Sequence, residues 1–264
     1  MEYKAVISDL DGTLLNKEHK ISDYTKETSR KIVEKGIKFF IATGRHHMDA
    51  GYIKKELALD TTLISANGSR VHEAEEEIFA CDLKDEIVKE ILMMDVGEGI
   101  YKNIYQGNKW FTEREMEWVK EFRNNSGFFY ELVDFKGLKA YDAAKIFFIC
   151  EEHEKLVMVK EKIEEKFKGE LNIAFSLPQC LEIMAKGVSK GDALKKVLKE
   201  YHIHLEEVVA FGDGLNDLEM LTVAGKGLVM GNAHGKLKEA LPDHEIINTN
   251  DEDGVAKYLE KIFL

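Results

Sequence analysis

The sequence predicts an α/β protein, a doubly wound parallel sheet interrupted by an inserted α+β domain. Three observations predict it. Short apolar runs, each stopped by small polar residues, recur at both ends of the chain, as strands buried on both faces of a parallel sheet do. Amphipathic stretches separate these runs, giving the strand–helix–strand order that right-handed crossovers require. Between about residues 82 and 186 that rhythm gives way to paired strand runs among helices, and after Gly187 it returns. The reading is a core of residues 1–81 and 187–264 with an insert of 82–186.

Each element follows from local chemistry. Tyr3–Ser8 is a largely apolar run ended by Asp9-Leu-Asp-Gly. Ser22 heads an amphipathic stretch with Ile32 and Val33 on its apolar side, and Gly36 stops it. Ile37–Ala42 is the second buried run, broken by Thr43-Gly-Arg, and a further helical segment leads to Thr62–Ala66 and Asn67-Gly. In the insert, helices are expected at about 83–95, 112–125 and 152–168, with strands at Gly127–Val133 and Lys145–Cys150. Glycine and asparagine clusters at Gly97–Gly99 and Gln106–Asn108 mark turns. A helix from about Ser189, a strand at Val208–Phe211, a helix from about Gly214, strands near Gly227–Met230 and Glu245–Asn248, and a closing helix complete the core.

Composition narrows the function. The 264 residues carry 49 Asp+Glu against 37 Lys+Arg, a formal charge of -12. Nucleic acids and anionic membranes attract concentrated basic charge, so neither is an expected partner. The surplus is spread out, with 16 basic and 21 acidic side chains in 82–186 and 21 and 28 in the rest. Cys81, Cys150 and Cys180 are odd in number and far apart, which suits buried or idle thiols rather than a disulfide framework or zinc site. The N-terminus carries no apolar signal stretch, and no run approaches the roughly 20 apolar residues of a membrane span, so a cytoplasmic location is expected.

In an open parallel sheet, ligands bind beyond the carboxyl ends of the strands. Four such ends are polar and small: Asp9-Leu-Asp-Gly-Thr, Thr43-Gly-Arg, Asn67-Gly-Ser and Gly212-Asp-Gly-Leu-Asn-Asp. Asp9 and Asp11 leave one strand two residues apart, and Asp213 and Asp217 arrive from far along the chain. Four converging carboxylates repel one another unless a hard cation joins them, and Mg²⁺ takes one or two carboxylates plus water and substrate phosphate. Asp-Gly and Gly-Asp-Gly are common turn sequences taken singly. The ordered set is what points to a site.

These segments resemble the haloacid dehalogenase superfamily, in particular Cof-like phosphatases with the large type IIB cap. Asp9-Leu-Asp-Gly-Thr-Leu-Leu is similar to the first motif and Ile41-Ala-Thr-Gly-Arg to the second. Val188-Ser-Lys-Gly-Asp-Ala-Leu and Gly212-Asp-Gly-Leu-Asn-Asp-Leu-Glu-Met-Leu are similar to the third and fourth. Ser65-Ala-Asn-Gly, Val229-Met-Gly-Asn-Ala and Thr249-Asn-Asp-Glu-Asp-Gly-Val-Ala are secondary marks, and the resemblance covers nearly the whole chain.

The resemblance implies a Mg²⁺-dependent phosphatase of small phosphorylated metabolites, such as sugar phosphates, pyridoxal phosphate or flavin mononucleotide. Asp9 is then the nucleophile and Asp11 the acid/base. Mg²⁺ falls to the carboxylates of Asp9 and Asp213 and the main-chain carbonyl of Asp11, with Asp217 assisting. Thr43, Gly44, Lys190 and Asn216 are expected at the substrate phosphate, and Arg45 either reaches the substrate or pairs with a carboxylate. Residues 82–186 would be the cap that closes over the catalytic face and sets specificity. The alternatives are a phosphosugar mutase and a non-catalytic phospho-acceptor, the second disfavoured because Asp11 promotes hydrolysis. A monomer or weak homodimer is expected.

The other features have plain readings. His46-His47 suits a loop or helix start, while Met93-Met94, Phe147-Phe148, Trp110 and Trp118 suit packing. An acidic protein that binds an anion needs a locally positive pocket, which falls to Mg²⁺, Lys190 and a helix N-terminus.

Overall fold

The first strand, β1 (Ala5–Ser8), has no side chain facing water: all four residues are fully buried. It pairs in parallel with β2 (Lys38–Ala42) on one side and β12 (Val208–Gly212) on the other, with Ala5 opposite both Lys38 and Val208. This computed structural model describes residues 2–116 and 126–264, and divides into two compact units, Met1–Ile78 with Ser189–Leu264, and Phe79–Val188.

The first unit holds a sheet in the order β14-β13-β12-β1-β2-β3-β4-β5 among the described residues, where β3 is Thr62–Ser65, β13 is Lys226–Val229 and β14 is Glu245–Ile246. From β14 to β3 every pairing is parallel. The chain moves outward from β1 to β3 on one side and, after the insert, outward from β12 to β14 on the other. The carboxyl ends of β1 and β12 are therefore the point where the strand order reverses, which is where such sheets bind ligands.

Local signals set the helix ends. Ser22 caps the helix Asp23–Glu34 by accepting a hydrogen bond from the Thr25 amide at 3.0 Å, and Gly36 beyond it adopts φ +88°. Two strands not foreseen extend the sheet, β4 (Arg70–Glu73), antiparallel to β3, and β5 (Glu76–Ala80). They are short and polar, with Glu76, Glu77 and Ile78 exposed at the sheet edge, so no buried apolar run announces them.

The second unit carries a sheet in the order β10-β11-β9-β6-β7-β8. Its strands are β6 (Tyr101–Gln106), β7 (Lys109–Thr112), β8 (Tyr130–Leu132), β9 (Lys145–Ile149), β10 (Leu171–Leu177) and β11 (Cys180–Ala185). All pair antiparallel except β7 with β8. The helices Asp85–Met93 and His153–Lys166 contribute Val88, Ile91, Leu156 and Ile163 to one core with Ile146 and Phe148 of the sheet.

Strand alternation sends Lys145 and Phe147 to the opposite face. There Phe147 meets the rings of Tyr105 and Trp110, and Trp110 Nε1 donates to Asn103 Oδ1 at 2.8 Å. On the same strand Lys145 pairs with Glu182 at 2.5 Å, with both side chains buried. Trp110 is thus a packed residue, as expected, while Met93 is 40% exposed and corrects the core reading made for it. Trp118 and most of the helix expected at 112–125 lie outside the described residues. Among the described residues, no helix is long and apolar enough to cross a membrane.

Phe148→Ala should destabilise the insert by about 3–5 kcal/mol, because it empties a fully buried site. Met93→Ala should change stability by less than about 0.5 kcal/mol. Urea unfolding followed by tryptophan fluorescence measures both, since Trp110 and Trp118 lie in the insert.

Candidate active site

The end of β1 delivers Asp9, whose amide donates to the Phe211 carbonyl of β12 at 3.0 Å. The turn that follows is possible because residue 12 is glycine. Gly12 adopts φ +77°, and a Cβ there would sit on the Asp213 carboxylate. Thr13 Oγ1 then donates to Asp213 Oδ1 at 2.8 Å, which fastens the first segment to the last. Beyond β12, Asp217 Oδ2 accepts from the amides of Asp213 and Gly214 at 3.0 and 2.9 Å. A Cβ at Gly212 would lie 2.6 Å from that of Asp217, so glycine is needed for the closeness.

Lys190 enters from the first turn of the helix Lys190–Glu200, whose cap Ser189 accepts from the Asp192 amide at 3.0 Å. The Lys190 ammonium is fully buried and donates to Asp9 Oδ1 and Asp217 Oδ1, each at 2.6 Å. Asp9, Asp213 and Asp217 each offer a carboxylate oxygen within 4.8 Å of the others. One ammonium thus binds two of three clustered carboxylates.

Their proton affinities reflect that imbalance. Burial raises the pKa of Asp9 well above the usual carboxylate range; Lys190 opposes the shift, while Asp217, Asp213 and Asp11 add to it. Asp213 is pushed up to about 7, by burial first and then by the charge of Asp217. Burial works against the Lys190 ammonium, yet Asp217 and Asp9 outweigh it and hold its pKa above the ordinary lysine value. The protein's own groups do not make the site positive. A donor set of carboxylate oxygens short of positive charge fits a hard divalent cation, and Asp9, Asp213 and Asp217 are the residues able to hold one.

Asp11 stands apart from this group. Its carboxylate takes a two-pronged hydrogen bond from Arg45, Nε at 2.7 Å and Nη2 at 2.5 Å, and His19 Nδ1 lies 3.6 Å away. The sequence suggested four converging carboxylates, and the structure brings three together. Arg45 also reaches the buried Asp49 at 3.4 Å, one helical turn on. The expectation for Asp11 as a cation ligand rests on its main-chain carbonyl, which this pairing does not occupy.

Thr43 and Gly44 follow β2. The Thr43 hydroxyl oxygen accepts from the Arg45 amide at 3.1 Å, and the helix His47–Leu57 begins beyond them with His46 as its cap. Asn216 sits in the short turn after Asp213, where its Nδ2 donates to Asn67 Oδ1 at 3.1 Å. Asn67 and Asp49 carried no role in the sequence reading. Asn67 stood in a strand-end Asn-Gly and in the secondary mark Ser65-Ala-Asn-Gly, and Asp49 was only an acidic residue four positions after Arg45.

Known proteins resemble this chain over nearly its whole length. Residues 6–259 match the family model described as haloacid dehalogenase-like hydrolase. A Yersinia pseudotuberculosis protein named HMP-PP phosphatase is 36% identical over 258 residues, covering 97% of this chain and 94% of its own. The crystal structure of a haloacid dehalogenase-like hydrolase from Bacteroides thetaiotaomicron is 31% identical, with a TM-score of 0.84, covering 99% of this chain and 100% of that one. A structure titled as a subclass IIB sugar phosphatase is 27% identical, with a TM-score of 0.85 and 98% of each chain covered.

The raised pKa of Asp213 has a sign that can be checked. The folded protein keeps a proton that the unfolded chain releases, so without metal its contribution to stability is full below 3.8 and is lost as pH rises to about 7. Thermal unfolding in EDTA should show that decline, and Asp213→Asn should flatten it. Added Mg²⁺ should raise the melting temperature of the wild type more at pH 8 than at pH 5.

Proposed function

The chain belongs to the haloacid dehalogenase-like hydrolases, and we propose that it is a Mg²⁺-dependent phosphatase of small phosphorylated metabolites, sugar phosphates or similar phosphomonoesters, acting through an aspartyl-phosphate. The observation that carries this reading is the buried Lys190 ammonium joining Asp9 to Asp217, with Asp213 in the same group of carboxylates.

In this reading Asp9 is the nucleophile. A carboxylate oxygen of Asp9 attacks phosphorus, the P–O bond to the leaving group breaks, and Asp11 gives the departing alkoxide a proton. Asp11 then takes a proton from the water that attacks the aspartyl-phosphate, and phosphate and free Asp9 result. Both Asp11 oxygens accept from Arg45, so one arm of that fork has to release an oxygen for Asp11 to carry the proton, while the other keeps the carboxyl oriented. Thr43, the Gly44 amide, Asn216 and Lys190 bind the phosphoryl oxygens. Lys190 also keeps Asp9 aligned, because its ammonium is fixed from the other side by Asp217.

Asp9, Asp213 and the Asp11 main-chain carbonyl would hold Mg²⁺, with Asp217 behind them. When bound, the ion supplies positive charge that offsets the charge of the transferring phosphoryl group. The insert 82–186 is assigned the choice of leaving group. Two relatives support the phosphatase reading by name, one an HMP-PP phosphatase and one a sugar phosphatase.

Purified protein with Mg²⁺ is expected to release phosphate from members of a metabolite panel, and EDTA should abolish the release. Asp9→Asn should lower kcat by at least about 10³-fold, since it removes the nucleophile. Full activity in Asp9→Asn overturns the mechanism, and isomerised sugar phosphate without free phosphate overturns the hydrolase assignment.

A further inference from the structure

The loop after β3 has an unusual backbone. Ala66, Asn67 and Gly68 adopt φ of 46°, 56° and 99° in succession, all in the left-handed region. Residues with a Cβ are rare there, and strain of this kind persists where the surroundings impose it. Gly68 has a steric reason: a Cβ would collide with the Ser189 carbonyl, at the cap of the helix that carries Lys190. Glycine would suit position 67 by backbone alone, yet it holds an asparagine that is 1% exposed. Asparagine tolerates this backbone better than most residues, but a polar side chain this buried needs a partner.

Its contacts identify that partner. The Ala66 and Asn67 amides donate to the carbonyls of Arg45 and Thr43 at 2.8 and 3.0 Å, which ties the loop to the segment Thr43–Arg45. The Asn67 side chain accepts from Asn216 Nδ2. An asparagine amide has a donating end and an accepting end, and only the donating end can bind a phosphoryl oxygen. With Asn67 Oδ1 beside it, the amide of Asn216 keeps its nitrogen on this side; turned over, two carbonyl oxygens would face each other. One N–H of that nitrogen is bound to Asn67, and the second is the one that the phosphatase reading assigns to an oxyanion.

We propose that Asn67 is a positioning residue that fixes the amide of Asn216 with its donating end toward the substrate phosphate. The proposal rests on the phosphatase reading in taking Asn216 as a phosphate ligand. It assigns Asn67 no contact with the reacting atoms.

The test is a double-mutant cycle on Asn67→Gly and Asn216→Ala. Glycine keeps the left-handed backbone and removes only the side chain, and Asn67→Ala is the control that adds strain. The readouts are calorimetric binding of inorganic phosphate in the presence of Mg²⁺, kcat/KM, and melting temperature. Each single variant should weaken phosphate binding about tenfold, the worth of one hydrogen bond to a charged group. The double variant should match Asn216→Ala within about twofold, because Asn67 acts through Asn216.

Effects that multiply toward about a hundredfold overturn the proposal. So does an Asn67→Gly protein that binds phosphate like the wild type while Asn67→Ala does not, since only the backbone would then matter. The phosphatase reading fails separately, if the wild type binds inorganic phosphate but hydrolyses nothing.

Discussion

Three clustered carboxylates with a single buried ammonium to balance them are the constraint on which the rest of this site depends. Removing a charge from water is costly unless a partner and hydrogen bonds replace the solvent, and Lys190 offers one positive charge to Asp9 and Asp217 with Asp213 alongside. Every nearby feature serves to hold those charges together. Gly12 and Gly212 remove the Cβ atoms that would keep the segments apart, Thr13 spans from the first segment to Asp213, and two amides anchor Asp217. What remains unbalanced raises the proton affinity of Asp9 and Asp213, the condition under which a divalent cation binds well.

The sheet makes this assembly possible. β1 and β12 lie side by side in parallel, so residues separated by 200 positions leave the sheet at the same level. The same parallel arrangement places the loops after β2 and β3 next to one another, and there the Ala66–Gly68 loop links the segment Thr43–Arg45, the cap of the Lys190 helix and Asn216. A surface-wide charge of -12 has little bearing on such a place. The local balance is set by a few groups within hydrogen-bond reach, and with protein groups alone it stays negative.

Much of the core was legible because its signals are short in range. Ser22 and Ser189 cap helices as their residue types suggest, and the largely apolar runs at the start of the chain and at Val208–Phe211 became buried parallel strands. Edge strands were harder. β4 is short and mostly polar, and β5 is largely exposed, so periodicity had little to act on. β10 and β11 went unnamed, as did β6 and β7, because polar residues such as Asn103, Thr112 and Glu182 break their apolar pattern although the folded sheet buries them. Met93 and Met94 look alike in sequence. The helix turns one outward and packs the other against the core.

The sequence by itself determined which residues arrive at the carboxyl ends of the strands, because apolar runs, turn glycines and cap residues act within a few positions of one another. It also determined the family, through ordered motifs spread over nearly the full chain. The tertiary structure alone decided how those residues divide the work. Asp9 and Asp11 are two apart and chemically identical, yet one is buried against Lys190 and the other is held by Arg45. Asn67 is joined to Asn216 across 149 positions. Charge pairing and amide orientation depend on distances of about 3 Å between segments remote in the chain, and no local pattern encodes them.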